Sequence, residues 1–114
     1  MPPAQDLDLL RGTLDLLILK TLSWGPMHGL AVLHFIENGS RQKLQIEEGA
    51  LYPALHRLEQ KGWLESEWGY TEQARRARFY RLTPSGRKQL ASQLARWARY
   101  TDVATAILQA APAK

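Results

Sequence analysis

The chain has no cysteine among its 114 residues. That excludes a disulfide framework, a cysteine-ligated zinc finger and a thiol nucleophile. It also has no membrane-length apolar run. The longest strongly apolar stretch, Leu14 to Leu19, is broken by Asp15 and followed by Lys20, far short of the ~18 residues a span requires. The first residues read MPPAQDLD, which is acidic and does not match a charged-then-apolar secretory leader. A cytoplasmic location is expected.

Catalytic signatures are missing as well. His28, His34 and His56 do not form an HExxH pattern, and no GxGxxG or GxxxxGK[ST] loop is present. The carboxylate pairs Asp6/Asp8 and Glu47/Glu48 read as a tail and a helix N-terminus, and no serine has a nucleophile context. We expect no enzyme activity, no cofactor and no metal.

Acidic residues are scarce in one half. Gly69 to Tyr100 carries eight basic side chains against one acid, Glu72, whereas residues 1–68 carry six basic and nine acidic. With a formal net charge of +4, this asymmetry points to a one-sided surface for a polyanion. A solvated helix face beside an exposed loop would show the same charge.

What is present is ordinary globular material, 45% hydrophobic and 23% charged, which argues against disorder. The length suits one domain, burying about two-thirds of its unfolded surface. That is a modest core, to which a partner subunit would add.

Residues 1–11 read as an N-terminal tail or helix extension, loose over residues 1–5. From Gly12 the pattern is helical, with Thr13 as a cap and Leu14, Leu17, Ile18 and Leu22 at helical spacing until Trp24-Gly25-Pro26. A second helix runs from Met27 or His28 to Asn38, with Leu30, Ala31, Leu33 and Ile36 inward. A third runs from Glu47 or Glu48 to Gly62. Leu51, Leu55 and Leu58 form its buried stripe and Gly62 its left-handed stop. Pro53 predicts an irregular start to that helix, because proline is tolerated only in the first turns.

After Gly62 the period becomes two. Strands are expected at Trp63–Trp68 and Ala77–Leu82, joined by a polar loop over Gly69–Arg76. Thr83-Pro84 opens a last helix that continues to about Gln109. Its Leu90, Leu94, Trp97, Thr101, Ala104 and Leu108 follow a four-three spacing, the seam of a helix packed on another helix. The fold class is therefore mainly α with a two-stranded β wing. It comprises a winged helix-turn-helix over residues 12–82, a dimerisation helix over 83–110 and a tail at 111–114.

In such a fold the third helix reads DNA. Opposite its leucine stripe lie Gly49, Pro53, His56, Arg57 and Gln60, with Tyr52 on the border. Glycine permits close backbone approach, Tyr52 and Pro53 offer apolar contact to thymine methyls, and Arg57 and His56 can donate to bases or phosphates. Arg75, Arg76 and Arg78 in the wing are placed to grip phosphates or enter a minor groove. Trp97 fits two roles, a dimer core and the wall of a pocket for flat aromatic effectors.

Three segments carry a family resemblance: GTLDLLILKTLSWGPMHG (Gly12–Gly29), EEGALYPALHRLEQKGWLE (Glu47–Glu65) and ARRARFYRLTPSGR (Ala74–Arg87). Together they span most of residues 9–100, and they resemble the PadR family of bacterial transcriptional regulators. The resemblance implies a dimeric winged-helix repressor bound to a pseudo-palindromic operator, nucleoid-associated while on DNA. It implies DNA contacts from Tyr52, Pro53, Arg75 and Arg76. It also implies that the last helix packs on the partner's first helix, which brings in Leu14 and Leu17. In some members an aromatic or drug-like ligand releases the DNA, and Trp97 resembles a tryptophan lining that pocket. Family members often have Tyr where this chain has Leu30, so this chain has no phosphate contact from that hydroxyl. The C-terminal part is one helix, which leaves the dimer interface for sensing. Two other readings stay open, a helix-mediated protein-interaction module without DNA binding and a small-molecule carrier.

Overall fold

Helix α1 (Thr13–Leu22) opens at Gly12, whose φ of 94° is left-handed and which caps without a side-chain hydrogen bond. Thr13 lies inside the helix, a correction to its expected capping role: Gly12 already supplies the first carbonyl, accepting from Leu16 N–H at 3.0 Å. The computed structural model describes residues 12–112. The expected tail at residues 1–11 lies outside the described residues, as do the last two positions of the C-terminal tail.

Because α1 is packed by the second, third and fourth helices and by a wing strand, its buried stripe is wide. Leu16, Ile18, Leu19 and Leu22 are buried, while Leu14 and Leu17 pack at the edge of the same core. Two polar side chains, Asp15 and Thr21, are also buried. The Thr21 hydroxyl donates to the Leu17 carbonyl at 2.8 Å.

Met27–His28 forms a short strand, β1, where the sequence predicts the start of a helix. His28 then caps α2 (Gly29–Gly39), its Nδ1 accepting from Ala31 N–H at 3.3 Å. The inner face of α2 is Gly29, Val32, Leu33 and Ile36, with Leu30 exposed and Ala31 half-buried. The expected inner set therefore rotates, because Gly29 lets α2 dock closely with its first turn.

Helix α3 (Glu48–Gln60) buries Leu51, Ala54, Leu55 and Leu58. It is continuous through Pro53, so the expected irregular start is absent. Proline removes the amide that would bond the carbonyl four residues earlier. That carbonyl belongs to Gly49, an exposed residue in the first turn, so losing its partner there costs little. Gly62, at φ 80°, ends the helix as expected, with Trp63 N–H reaching back to the Leu58 carbonyl at 3.1 Å.

Strands β2 (Leu64–Tyr70) and β3 (Arg76–Leu82) pair antiparallel, with Leu64 opposite Leu82 and Tyr70 opposite Arg76. β1 adds to the other edge of β3, giving the order β1-β3-β2. The wing strands exceed their expected lengths at the loop end, so the loop shrinks to Thr71–Arg75. There Thr71 N–H donates to the Arg75 carbonyl at 2.8 Å, and Ala74 takes a φ of 61°.

Thr83 then caps the last helix, α4 (Pro84–Gln109). Its hydroxyl accepts from Gly86 N–H at 3.0 Å and donates to the Gly62 carbonyl at 2.6 Å, tying the two ends of the wing together. Only Gly86 and Leu90 of α4 are buried. The remainder projects, which explains a radius of gyration of 16.4 Å where a compact chain of this size would have about 13 Å.

Candidate nucleic-acid interface

The leucine stripe of α3 turns inward, and this leaves Gly49, Tyr52, Pro53 and His56 exposed together on its outer face. Tyr52 is the most constrained of them. Its ring lies against Gly29 at the start of α2, where a Cβ would stand 2.5 Å from the Tyr52 Cε1. Burial pushes the Tyr52 phenol above its ordinary pKa, and the nearby Glu48 carboxylate adds to the rise. The hydroxyl therefore stays a neutral donor and acceptor over the physiological range. His56 lies 3.4 Å from the Gln60 amide on the same face.

Arg57 departs from the expected arrangement. Its guanidinium turns to α1 and donates to Asp15 Oδ1 at 2.5 Å. The pair satisfies a buried carboxylate and braces α3 on α1. Asp15 carried the signal in the sequence, as the one acidic residue in an apolar helix turn, but the pairing spans 42 positions.

The pleat of the wing sorts its charges by face. Leu64, Ser66, Trp68 and Tyr70 share one face with Leu82, Tyr80, Arg78 and Arg76, as the register requires. This face joins α3: Ser66 Oγ donates to Glu59 Oε2 at 2.6 Å, and an Arg78 nitrogen lies 3.6 Å from the same oxygen. The opposite face carries Arg81, paired with Glu65 at 2.7 Å and Glu67 at 3.4 Å. Its positive charge is therefore compensated.

The three wing arginines named from the sequence differ in their surroundings. Arg75 is exposed at the end of the loop. Arg76 sits over the Trp68 ring, 4.5 Å from its centroid. Arg78 is drawn toward α3, its Nε donating to Ser66 Oγ at 2.7 Å. Sequence reasoning missed Trp68 and Tyr70, both exposed on the arginine-bearing face. Their alternation with Leu64 and Ser66 was the available signal.

At the other end of the molecule, the expected α4 seam divides. Leu90 is buried in the chain's own core, so its assignment to a subunit contact is corrected: it packs where α4 still lies on the domain. Leu94, Trp97 and Leu108 are exposed, with Thr101 and Ala104 half-buried. Tyr100, Val103 and Ile107 widen the apolar surface beyond the expected seam. Trp97 and Tyr100, with ring centroids 6.1 Å apart, border an open groove of about 470 Å³ between α4 and α1, whose walls include Thr13, Leu16, Gln93 and Arg96.

Among the described residues, no group of three or more potential metal ligands occurs and no helix is long and apolar enough to cross a membrane. A helix with an exposed polar and aromatic face, followed by an arginine-bearing hairpin on the same side, defines a winged-helix DNA-binding protein. The chain belongs to the transcriptional regulator PadR-like family, whose family model matches residues 18–92. It is 38% identical over 80 residues to the transcriptional regulator Rv3488 of Mycobacterium tuberculosis, covering 70% of this chain and 71% of that protein. Among solved structures, a PadR family transcriptional regulator from Eggerthella lenta matches with a TM-score of 0.77 at 32% identity, over 89% of this chain and 86% of that one. A transcriptional regulator from Clostridium thermocellum matches with a TM-score of 0.76 at 30% identity, over 83% and 92%. The protein is thus a DNA-binding transcriptional regulator, and its family consists of regulators, not enzymes.

Proposed function

We propose that this regulator is a repressor that binds a pseudo-palindromic operator as a homodimer in the cytoplasm, associating with the nucleoid while on DNA. The supporting observation is the separation of two surfaces. The outer face of α3 and the wing arginines share one side, while α4 carries a projecting strip that includes Leu94, Trp97, Val103 and Ile107, uncovered among the described residues. An apolar strip of this length is the kind of surface a second copy covers. Leu14 and Leu17, at the edge of α1, extend it toward the partner's α4. Two recognition helices held by such a dimer suit half-sites one or two helical turns apart.

In this reading Tyr52, Pro53, His56 and Gly49 meet base edges, and Arg75 and Arg76 hold phosphates. Arg78 and Arg57 act mainly by bracing α3. An aromatic, drug-like effector enters the groove beside Trp97 and shifts α4 against α1.

Gel-shift titration against salt, on an operator chosen by selection from random duplexes, tests the reading. Arg75→Ala with Arg76→Ala should weaken binding to all sequences about equally. It should also reduce the log–log salt slope by about 0.9 for each phosphate the variant no longer neutralises. Unchanged binding by the double variant at ~150 mM salt would remove the wing from the interface.

A further inference from the structure

The wing holds an aromatic residue beside its arginines, Trp68. Trp68 is 56% exposed on the hairpin. Two guanidinium groups sit over it, Arg76 at 4.5 Å and Arg78 at 5.6 Å from the ring centroid. The register makes Arg78 its direct cross-strand partner and Arg76 its diagonal one, both on the face that joins α3.

The two arginines are held in different ways. Arg78 also has Glu59 and Ser66 within reach. Arg76 has no carboxylate partner among the described residues, and its guanidinium lies over the indole. This matters for the chemistry. An ion-paired arginine, such as Arg81 between Glu65 and Glu67, spends its in-plane N–H donors on the carboxylates. An arginine over an aromatic face is held through its π surface, and its donors and its charge stay available at the edge.

We propose that Trp68 is a positioning residue for DNA binding: it orders Arg76 on the wing face while leaving the guanidinium edge free for a phosphate of the DNA backbone. The inference rests on the wing contacting DNA, as proposed above. Ordering the side chain in advance removes part of the entropy lost on binding. Because backbone phosphates are the target, the effect is independent of base sequence.

The test uses the full chain and a fluorescein-labelled random-sequence duplex of about 30 base pairs, with affinity read by anisotropy across a salt series. Trp68→Ala should weaken binding roughly three- to tenfold, and Trp68→Phe, which keeps a π face, should recover most of it. Trp68→Leu keeps apolar bulk without a π face and should bind as weakly as the alanine variant while melting like the wild type. In the Arg76→Ala background, Trp68→Ala should cause no further loss. Equal losses from Trp68→Ala in the two backgrounds, or full affinity in Trp68→Leu, would overturn the proposal while leaving the wing on the DNA. Unchanged affinity and salt slope in Arg76→Ala would overturn both the proposal and the wing–phosphate reading.

Discussion

Tyr52 of α3 rests against the bare backbone of Gly29 at the start of α2, with no room for even a methyl group between them. The helix before the turn thereby sets the angle of the exposed tyrosine on the helix after it. Gly29→Ala should push the ring outward. The change should cost little stability, because alanine is the better helix former by about 0.8–1 kcal/mol and Tyr52 has solvent to move into. Operator affinity should fall by about 1–3 kcal/mol with random DNA nearly unaffected. Competition between the two DNAs measures this, and an equal loss on both would show that Tyr52 does not read bases.

The Asp15–Arg57 pair joins α1 to α3 with unequal exposure, 12% for the Asp15 side chain and 42% for the Arg57 side chain. Arg57→Ala strands the buried partner and should destabilise by about 1–3 kcal/mol. Asp15→Asn keeps an acceptor and leaves Arg57 partly hydrated, so its cost should be smaller. Urea unfolding of both variants gives the order, and the reverse order would mean that burial of Asp15 is not what the pair relieves.

Leu90 and Leu94 are one helical turn apart on α4 but lie in different environments. Leu90→Asp buries a charge in the domain core and should unfold the monomer. Leu94→Asp should leave the monomer folded, separate the proposed dimer and abolish tight operator binding, since a monomer loses the gain of linked sites. Sedimentation and circular dichroism together distinguish these outcomes. A Leu94→Asp variant that stays dimeric would place the subunit interface elsewhere.

Tyr80 is buried, and that burial, followed by the Glu59 carboxylate, raises its phenol above the ordinary tyrosine value. Below about pH 10 the phenol is protonated in both folded and unfolded chains, and its contribution is fully present. As pH rises past that point the unfolded chain ionises first, so stability falls until the folded phenol ionises in turn. Tyr80→Phe should flatten this alkaline decline. Parallel decline in the two proteins would assign it to other groups.

Much of the local structure was legible because it depends on neighbours a few residues away. The Leu51–Leu55–Leu58 stripe, the Gly62 stop and the Thr83-Pro84 start each rest on periodicity, a positive φ or a cap. Met27–His28 was not legible, since a two-residue strand has no periodicity and exists only because β3 offers an edge. Pro53 misled for a related reason: its cost depends on whether the carbonyl it frees reaches water.

The four helices, the two wing strands, the winged-helix class, the family and the clustering of cations in the second half all follow from the residues read in a line. What each arginine of α3 and the wing does follows only from the folded chain. Arg57, Arg76, Arg78 and Arg81 are the same residue type in similar polar contexts. One braces α3 on Asp15, one lies over Trp68, one reaches back to Glu59 and one is neutralised by Glu65 and Glu67. Their partners are set by strand register and helix docking, which bring together residues up to 42 positions apart. The same applies to α4, where one turn separates a core leucine from an uncovered one because the domain ends between them.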